Sequence, residues 1–305
     1  MIRILNLGSL NLDRVLRVDH IVKPGETVSA RTTASYAGGK GANQSVALAR
    51  AGAGVFHAGR VGQDGRWLID KLNTADIDTS HVETDPDQPT GSAFIQVDGR
   101  GENAIVVDPG ANAYITRAQI DQVLNHFQQH EILLLQNEIS NVGYAIEAAA
   151  ERGLSVCFNP APITPAVADY PLNKVDLLIA NHHEAGEIIQ KPGARDLIPR
   201  LRDKVDGRVI ITMGERGVVY ADRQSVMQID AFTVEPVDTI AAGDTFIGYF
   251  IAERTRATPI RGCLEIASAA AAICVTRPGA IDAIPTREEV AAFLTSNQPR
   301  QLTDS

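Results

Sequence analysis

The chain has 305 residues, 44% hydrophobic and 21% charged, which allows one large core and argues against a disordered or low-complexity protein. A formal net charge of −9 argues against nucleic acid as the main partner, because no basic surplus exists to neutralise phosphates. The longest apolar run, residues 267–275, is broken by Ser268 and cannot span a bilayer, and no signal peptide is legible. Cys157, Cys263 and Cys274 lie singly among apolar neighbours and read as buried thiols of a reducing compartment, so a cytoplasmic protein without a membrane partner is expected.

Short runs that are apolar on both faces fall at residues 2–7, 55–61, 132–135, 154–158, 177–180 and 208–212, and read as buried strands. Helical patterns lie at 41–51, 65–74, 117–127, 141–152, 184–189 and 196–203. The alternation predicts an α/β fold with a mostly parallel sheet and helices on both faces. Residues 218–221 and 226–229 read as a hairpin, helices dominate from residue 244, and the tail at 296–305 is expected to fray. Two segments break the rhythm: 14–36 around Pro24-Gly25, and 91–107 around a turn at 98–101, alternate polar and apolar residues. They predict a small β-sheet lid, residues 12–37 and 90–108, inserted into a single domain spanning 1–305.

The residues that carry chemistry follow in chain order. Asn11 and Asp13 fall just after the first strand, where open α/β sheets bind ligands, and Asp13 suits vicinal hydroxyls; Asn-x-Asp is also a turn signal. Gly38-Gly39-Lys40-Gly41-Ala42-Asn43 leads into a helix, with Lys40 offering charge and Asn43 a donor–acceptor pair suited to a polyol. By itself that segment also reads as a glycine-rich turn. Glu138 follows a buried strand and either meets the same ligand or caps the next helix. Asn181 and Glu184 have capping-box spacing, and a glutamate so placed can still face a metal-bound phosphate; His182 and His183 are assigned no metal. Thr212-Met213-Gly214-Glu215-Arg216-Gly217 is either a plain hairpin turn or a loop whose N–H groups meet phosphates.

The most telling stretch is Asp238-Thr239-Ile240-Ala241-Ala242-Gly243-Asp244-Thr245-Phe246. Small residues at a helix start leave N–H groups open to an anion, and the helix dipole adds favourable potential. A carboxylate beside that nest, Asp244, is placed to take a proton from a hydroxyl, as phosphoryl transfer to an alcohol requires. No P-loop, dinucleotide, zinc-protease or serine-hydrolase motif occurs. The residues point to a kinase for a small hydroxylated molecule.

Together and in order, these segments resemble the ribokinase (PfkB-type) carbohydrate kinase family from Ile4 to about Leu294. Residues 38–43 and 238–246 match the two family signatures. Pro24-Gly25-Glu26-Thr27, Gly101-Glu102-Asn103, Gly110-Ala111-Asn112 and Asn159-Pro160-Ala161-Pro162 resemble the ribokinase branch in particular. The resemblance implies a three-layer αβα body with a small β-lid, Asp244 as catalytic base, and Ala241, Ala242 and Gly243 as anion hole. It implies a sugar pocket of Asn11, Asp13, Gly39, Lys40, Asn43 and Glu138. ATP is expected at Asn181, Thr212, Gly214, Gly217, Gly243 and Ser268, with Glu184 holding Mg²⁺ through water. A monovalent cation, K⁺, is expected at Asp238, Ile240, Cys274, Arg277 and Gly279; Ala283 stands where the family usually has serine, with Asp282 next to it as a candidate replacement. The implied reaction is phosphorylation of D-ribose to D-ribose 5-phosphate by a homodimer whose lids pack together. A sibling kinase for fructose, another pentose or a nucleoside is the alternative, and a catalytically silent sugar-binding protein a more distant one.

Overall fold

The computed structural model describes residues 2–194, 196–297 and 299, so most of the tail expected to fray lies outside the described residues. The chain opens with β1 (Ile4–Leu7), β2 (Asn11–Arg17), β3 (Thr32–Gly38), α1 (Lys40–Arg50), β4 (Val55–Gly62), α2 (Arg66–Asn73) and β5 (Asp78–Asp85). It continues through β6 (Gly91–Val97), β7 (Asn103–Asp108), α3 (Arg117–Leu124), β8 (Ile132–Gln136), α4 (Val142–Glu151), β9 (Ser155–Asn159) and β10 (Leu177–Asn181). Then come α5 (His182–Ile188), α6 (Leu197–Arg202), β11 (Arg208–Thr212), β12 (Val218–Ala221), β13 (Val226–Ile229), α7 (Ala242–Thr255), α8 (Ile260–Val275) and α9 (Arg287–Ser296).

Nine strands form one sheet in the order β13-β12-β11-β10-β9-β8-β1-β4-β5. From β11 to β5 all neighbours run parallel; β12 and β13 are joined antiparallel as the expected hairpin. Strand residues alternate between faces, so Ile4 and Leu134 pack under α1, α2, α7, α8 and α9. Leu5, Leu7, Leu133 and Leu135 point the other way, toward α3, α4, α5 and α6. The result is an αβα body with a core on each face of the sheet.

A second sheet, β3-β2-β6-β7, arises from the two segments that alternate polar and apolar residues. Its two antiparallel pairs are joined by a parallel pairing of β2 with β6. The Pro24-Gly25 turn is present, closed by Glu26 N–H to Lys23 O (3.0 Å), but its flanking strands stop at Arg17 and resume only at Thr32. One strand was not legible: β5, Asp-Thr-Ser-His-Val-Glu-Thr-Asp, is an edge strand whose polar composition hides its pairing with β4.

Candidate active site

A cavity of about 800 Å³ opens at the carboxyl ends of β8, β9, β10 and β11, walled on one side by the inner face of the small sheet. Asn11 and Asp13 reach it from β2, Gly39, Lys40 and Asn43 from the start of α1, and Glu138 from beyond β8. Asn181, Glu184 and Thr212 enter from the ends of β10 and β11, and Ile240, Ala241, Gly243 and Asp244 from the loop that starts α7.

That loop ends sharply. Ala241, the N-cap of α7, has φ 60° and ψ 4°, a left-handed conformation that costs a non-glycine residue about 1–2 kcal/mol. The first helical bond runs from Thr245 N–H to Ala241 O (2.8 Å), so the N–H groups of Gly243 and Asp244 have no partner within the helix. A Cβ on Gly243 would meet nothing within 4 Å, so open space lies over this turn. Asp244 itself is buried; its Oδ2 accepts Asn43 Nδ2 (3.0 Å) and its Oδ1 accepts Gln44 Nε2 (2.8 Å). This meeting of residues 200 apart follows from helix packing: a Cβ on Gly248 would lie 2.4 Å from Ala47 Cβ, so α7 and α1 nearly touch there. Asp244 and Asn43 sit one helical turn before that contact, on the same faces.

Asp13 lies within β2 rather than in a turn, and Gly38 leaves room for it, since a Cβ there would fall 2.0 Å from Asp13 Oδ2. Gly39, at φ 90°, swings the chain from β3 into α1. Burial, then the charge of Glu138, pushes the Asp13 carboxyl up to about 7; Asp244 adds to this and Lys40 opposes it. Burial would lower the Lys40 ammonium, but the carboxylates of Asp244, Glu138, Glu184 and Asp13 together outweigh it and hold it above the ordinary lysine value. Glu138 does not cap α4, whose N-cap is Asn141. Its Oε2 instead accepts Ser9 Oγ (2.6 Å) and the Lys40 N–H (2.9 Å). Asn11 Oδ1 accepts Asn112 Nδ2 (2.8 Å), and the same Asn112 brackets Leu10, accepting its N–H (3.1 Å) and donating to its carbonyl (3.2 Å). Asn43 Oδ1 is buried without a protein partner, an unused acceptor at the cavity wall.

On the opposite side, Asn181 and Glu184 do form a capping box. Asn181 Oδ1 accepts the Glu184 N–H (2.8 Å), while Glu184 Oε2 and Oε1 accept Asn181 N–H (2.9 Å) and Nδ2 (2.8 Å). Burial holds the Glu184 carboxyl above its ordinary value, against the Asn181 hydrogen bond and the Lys40 charge. Gly214, at φ 59°, borders open space, whereas a Cβ on Gly217 would lie 2.0 Å from Ile229 O, so the hairpin alone demands glycine there. Ser268 is half-buried in α8 and, like Ala242, Gly214 and Gly217, stands off the cavity wall.

Asp238, Ile240, Cys274, Arg277 and Gly279 also lie away from the wall except for Ile240, in the loop before α7 and in the last turn of α8 with the loop after it. Asp238 ties them, its Oδ1 accepting Ile240 N–H (2.9 Å) and its Oδ2 accepting Gly279 N–H (3.0 Å). Cys274 Sγ is 3.7 Å from Ile240 O, and the Arg277 guanidinium turns away to Glu289 (2.7 Å). Ala283 is buried against Ala241 and Cys274. Asp282 is exposed and pairs with Lys71 (3.1 Å), so it supplies no oxygen in place of the absent serine. Among the described residues no three His, Cys, Asp or Glu side chains could hold a metal on their own.

The sequence reading passed over what lies beneath Asp244. Asn6, Gln136, Asn159 and His57 are buried on the α1 face of their strands and join Gln44 and Ser45 in a hydrogen-bonded layer. Burial pushes His57 down to about 4, which keeps it neutral. The signal was available: each of four apolar strands carries a polar residue, near the carboxyl end in three of them, and a period of two with the strand register puts all four on one face.

Residues 1–287 match the model of the pfkB family of carbohydrate kinases. The chain is 37% identical over 297 residues to the ribokinase of Haemophilus influenzae, covering 94% of this chain and 97% of that one. It is similar to the crystal structure of ribokinase from Thermotoga maritima, with a TM-score of 0.87 at 34% identity over 97% of this chain and 100% of that one. A structure of Arabidopsis thaliana ribokinase complexed with ribose and ATP superposes with a TM-score of 0.85 at 27% identity, over 96% of this chain and 98% of that one.

Proposed function

The chain belongs to the pfkB family of carbohydrate kinases, and from that premise we propose that it transfers the γ-phosphoryl group of ATP to the primary hydroxyl of D-ribose, giving D-ribose 5-phosphate and ADP. The observation that carries this reading is the placement of Asp244: a buried carboxylate fixed by Asn43 and Gln44 at an open helix N-terminus, facing the same cavity as Asp13, Asn11 and Glu138. The similar protein complexed with ribose and ATP supports the choice of both substrates.

Asp13, Asn11, Lys40, Asn43 and Glu138 hold the sugar through its hydroxyls, with Gly39 keeping the backbone close. Asp244 accepts the proton of the primary hydroxyl as its oxygen bonds to phosphorus. The N–H groups around Ala241, Ala242 and Gly243, backed by the dipole of α7, meet the negative charge that develops on the transferring group. Asn181, Thr212, Gly214, Gly217, Gly243 and Ser268 make the nucleotide side. The small sheet acts as a lid that keeps water from competing with the sugar.

Glu184 fits a role toward Mg²⁺ through water, with each of its oxygens oriented by a hydrogen bond from Asn181 and keeping a free lone pair. When bound with ATP, Mg²⁺ supplies neutralisation of phosphate charge. The joined segments at 238–240 and 274–279 fit a K⁺ ion held largely by backbone carbonyls, short of one oxygen at Ala283. K⁺ is therefore expected to raise turnover over Na⁺; equal rates in the two salts would remove that site. Val106 and Phe94, 67% and 40% exposed on the face of the lid turned from the cavity, support a homodimer through the lid, which a monomeric mass in solution would rule out. Three buried free thiols support a cytoplasmic setting. The reaction is tested by ADP release with D-ribose, 2-deoxyribose, fructose and nucleosides. Ribose is expected to give the highest kcat/KM, and a preference for fructose or a nucleoside would replace it by the sibling activity.

A further inference from the structure

The layer of amides under Asp244 has a fixed direction. Asn6 Nδ2 donates to Gly41 O (2.8 Å), a backbone carbonyl that can only accept, so the Asn6 amide cannot be turned over. Its Oδ1 must then accept, and Gln136 Nε2 donates to it (2.9 Å). The same Gln136 Nε2 donates to Gln44 Oε1 (2.6 Å), which leaves Gln44 only its NH₂ to present to Asp244 Oδ1 (2.8 Å). A second anchor gives the same sense. Asn159 Nδ2 donates to Ile179 O (2.9 Å), so its Oδ1 faces Gln44 Nε2 (3.3 Å) and again requires a donor there. Two backbone carbonyls, on different elements, thus dictate which end of Gln44 meets the carboxylate. Gln44, Gln136 and Asn6 are all fully buried, so no water competes for these bonds.

We infer that Gln44 is a positioning residue for the base: held with its NH₂ toward Asp244 by the Asn6–Gln136 chain, it occupies Oδ1 and fixes the carboxylate plane so that the remaining lone pair points into the cavity. The inference rests on Asp244 being the base. Asn43, which binds the other oxygen, lines the cavity; Gln44 does not, and it reaches the cavity through Asp244 and, by a longer bond, Asn159.

The test compares Gln44→Leu, Gln136→Leu and the double variant with Asp244→Asn, reading kcat and KM for D-ribose, and thermal unfolding. Gln44→Leu is expected to lower kcat about 10–100-fold with KM changed less than about 3-fold. Gln136→Leu leaves Gln44 oriented by Asn159 alone, and is expected to lower kcat by a smaller factor. In the double variant Asn6 Oδ1 loses its donor as well, so its thermal stability is expected to be no higher than that of Gln44→Leu, with kcat as low. A folded double variant with kcat like the parent overturns the inference, as does a folded Gln44→Leu within about 2-fold of the parent kcat. If Gln44→Leu does not fold, Gln44→Met, which keeps the length of the side chain without its amide, decides. If Asp244→Asn keeps near-full turnover, the base assignment fails first; if it is inactive while the glutamine variants are not, only the inference about Gln44 fails.

Discussion

The two sides of the cavity are built differently. On one, Asp244 is set into the crossing of α1 and α7, where side chains are almost wholly buried and a glycine brings the helices into contact. On the other, Asp13 stands on a four-stranded sheet whose outer strand, β7, is largely exposed along its length. On the proposed function, the group that must hold its geometry through bond formation stands in the dense part, and the group that must admit and release a sugar in the thin part. Damage to the first should therefore appear in kcat, and damage to the second in KM.

Asp244→Asn tests the first half most sharply: kcat is expected to fall about 10²–10⁴-fold with sugar affinity nearly kept, measured by ADP release and by direct titration with ribose. Next is Gly248→Val, which forces side-chain atoms into a space where even a Cβ would be 2.4 Å from Ala47. Overpacking should destabilise the fold by about 1–3 kcal/mol and lower kcat by spreading α1 from α7, whereas a loss confined to KM would contradict the comparison. Asp13→Ala should raise the ribose KM roughly 10-fold, the worth of one charged hydrogen bond, and leave kcat within about 2-fold.

The smallest expected effects concern the proton on Asp13. With the folded-state value near 7, kcat/KM for ribose should decline as pH falls through about 7, because the acceptor carboxylate is lost, and Asp13→Ala should flatten that limb. The stability effect has the opposite sense. A carboxyl raised from 3.8 to about 7 binds more protons folded than unfolded, so its contribution is fully present below 3.8 and is lost as pH rises to 7. Asp13→Asn should thus be more stable than the parent above pH 7 by roughly 1–3 kcal/mol, with the gap closing toward pH 4, in unfolding of the sugar-free protein. An equal gap at both pH values would show that Asp13 is already ionised at low pH.

Most of the body was legible because its strands are short apolar runs and its helices carry clear periods; β12 and β13 fall where the hairpin was expected. β5 was not, since an edge strand need not be apolar. The cavity residues were legible as separate motifs, but their convergence depends on long-range packing: nothing local to Asn43 points to Asp244. The reading of Glu138 as a helix cap failed because capping needs a helix start within reach, and Ser9 and the Lys40 N–H claim that carboxylate instead. Gln44 was missed because an amide within an apolar helix pattern looks like any buried polar residue until its partners, which come from other strands, are known.

Gly8-Ser9-Leu10, the link between β1 and β2, is the root of the small sheet and is bonded to residues that line the pocket. Ser9 grips Glu138 and the Gly41 N–H, Ser9 O receives the Ala42 N–H, and Asn112 clasps Leu10. On the proposed function, a swing of the sheet large enough to free the phosphorylated sugar would pull on these bonds and so tie its departure to a loosening of Glu138.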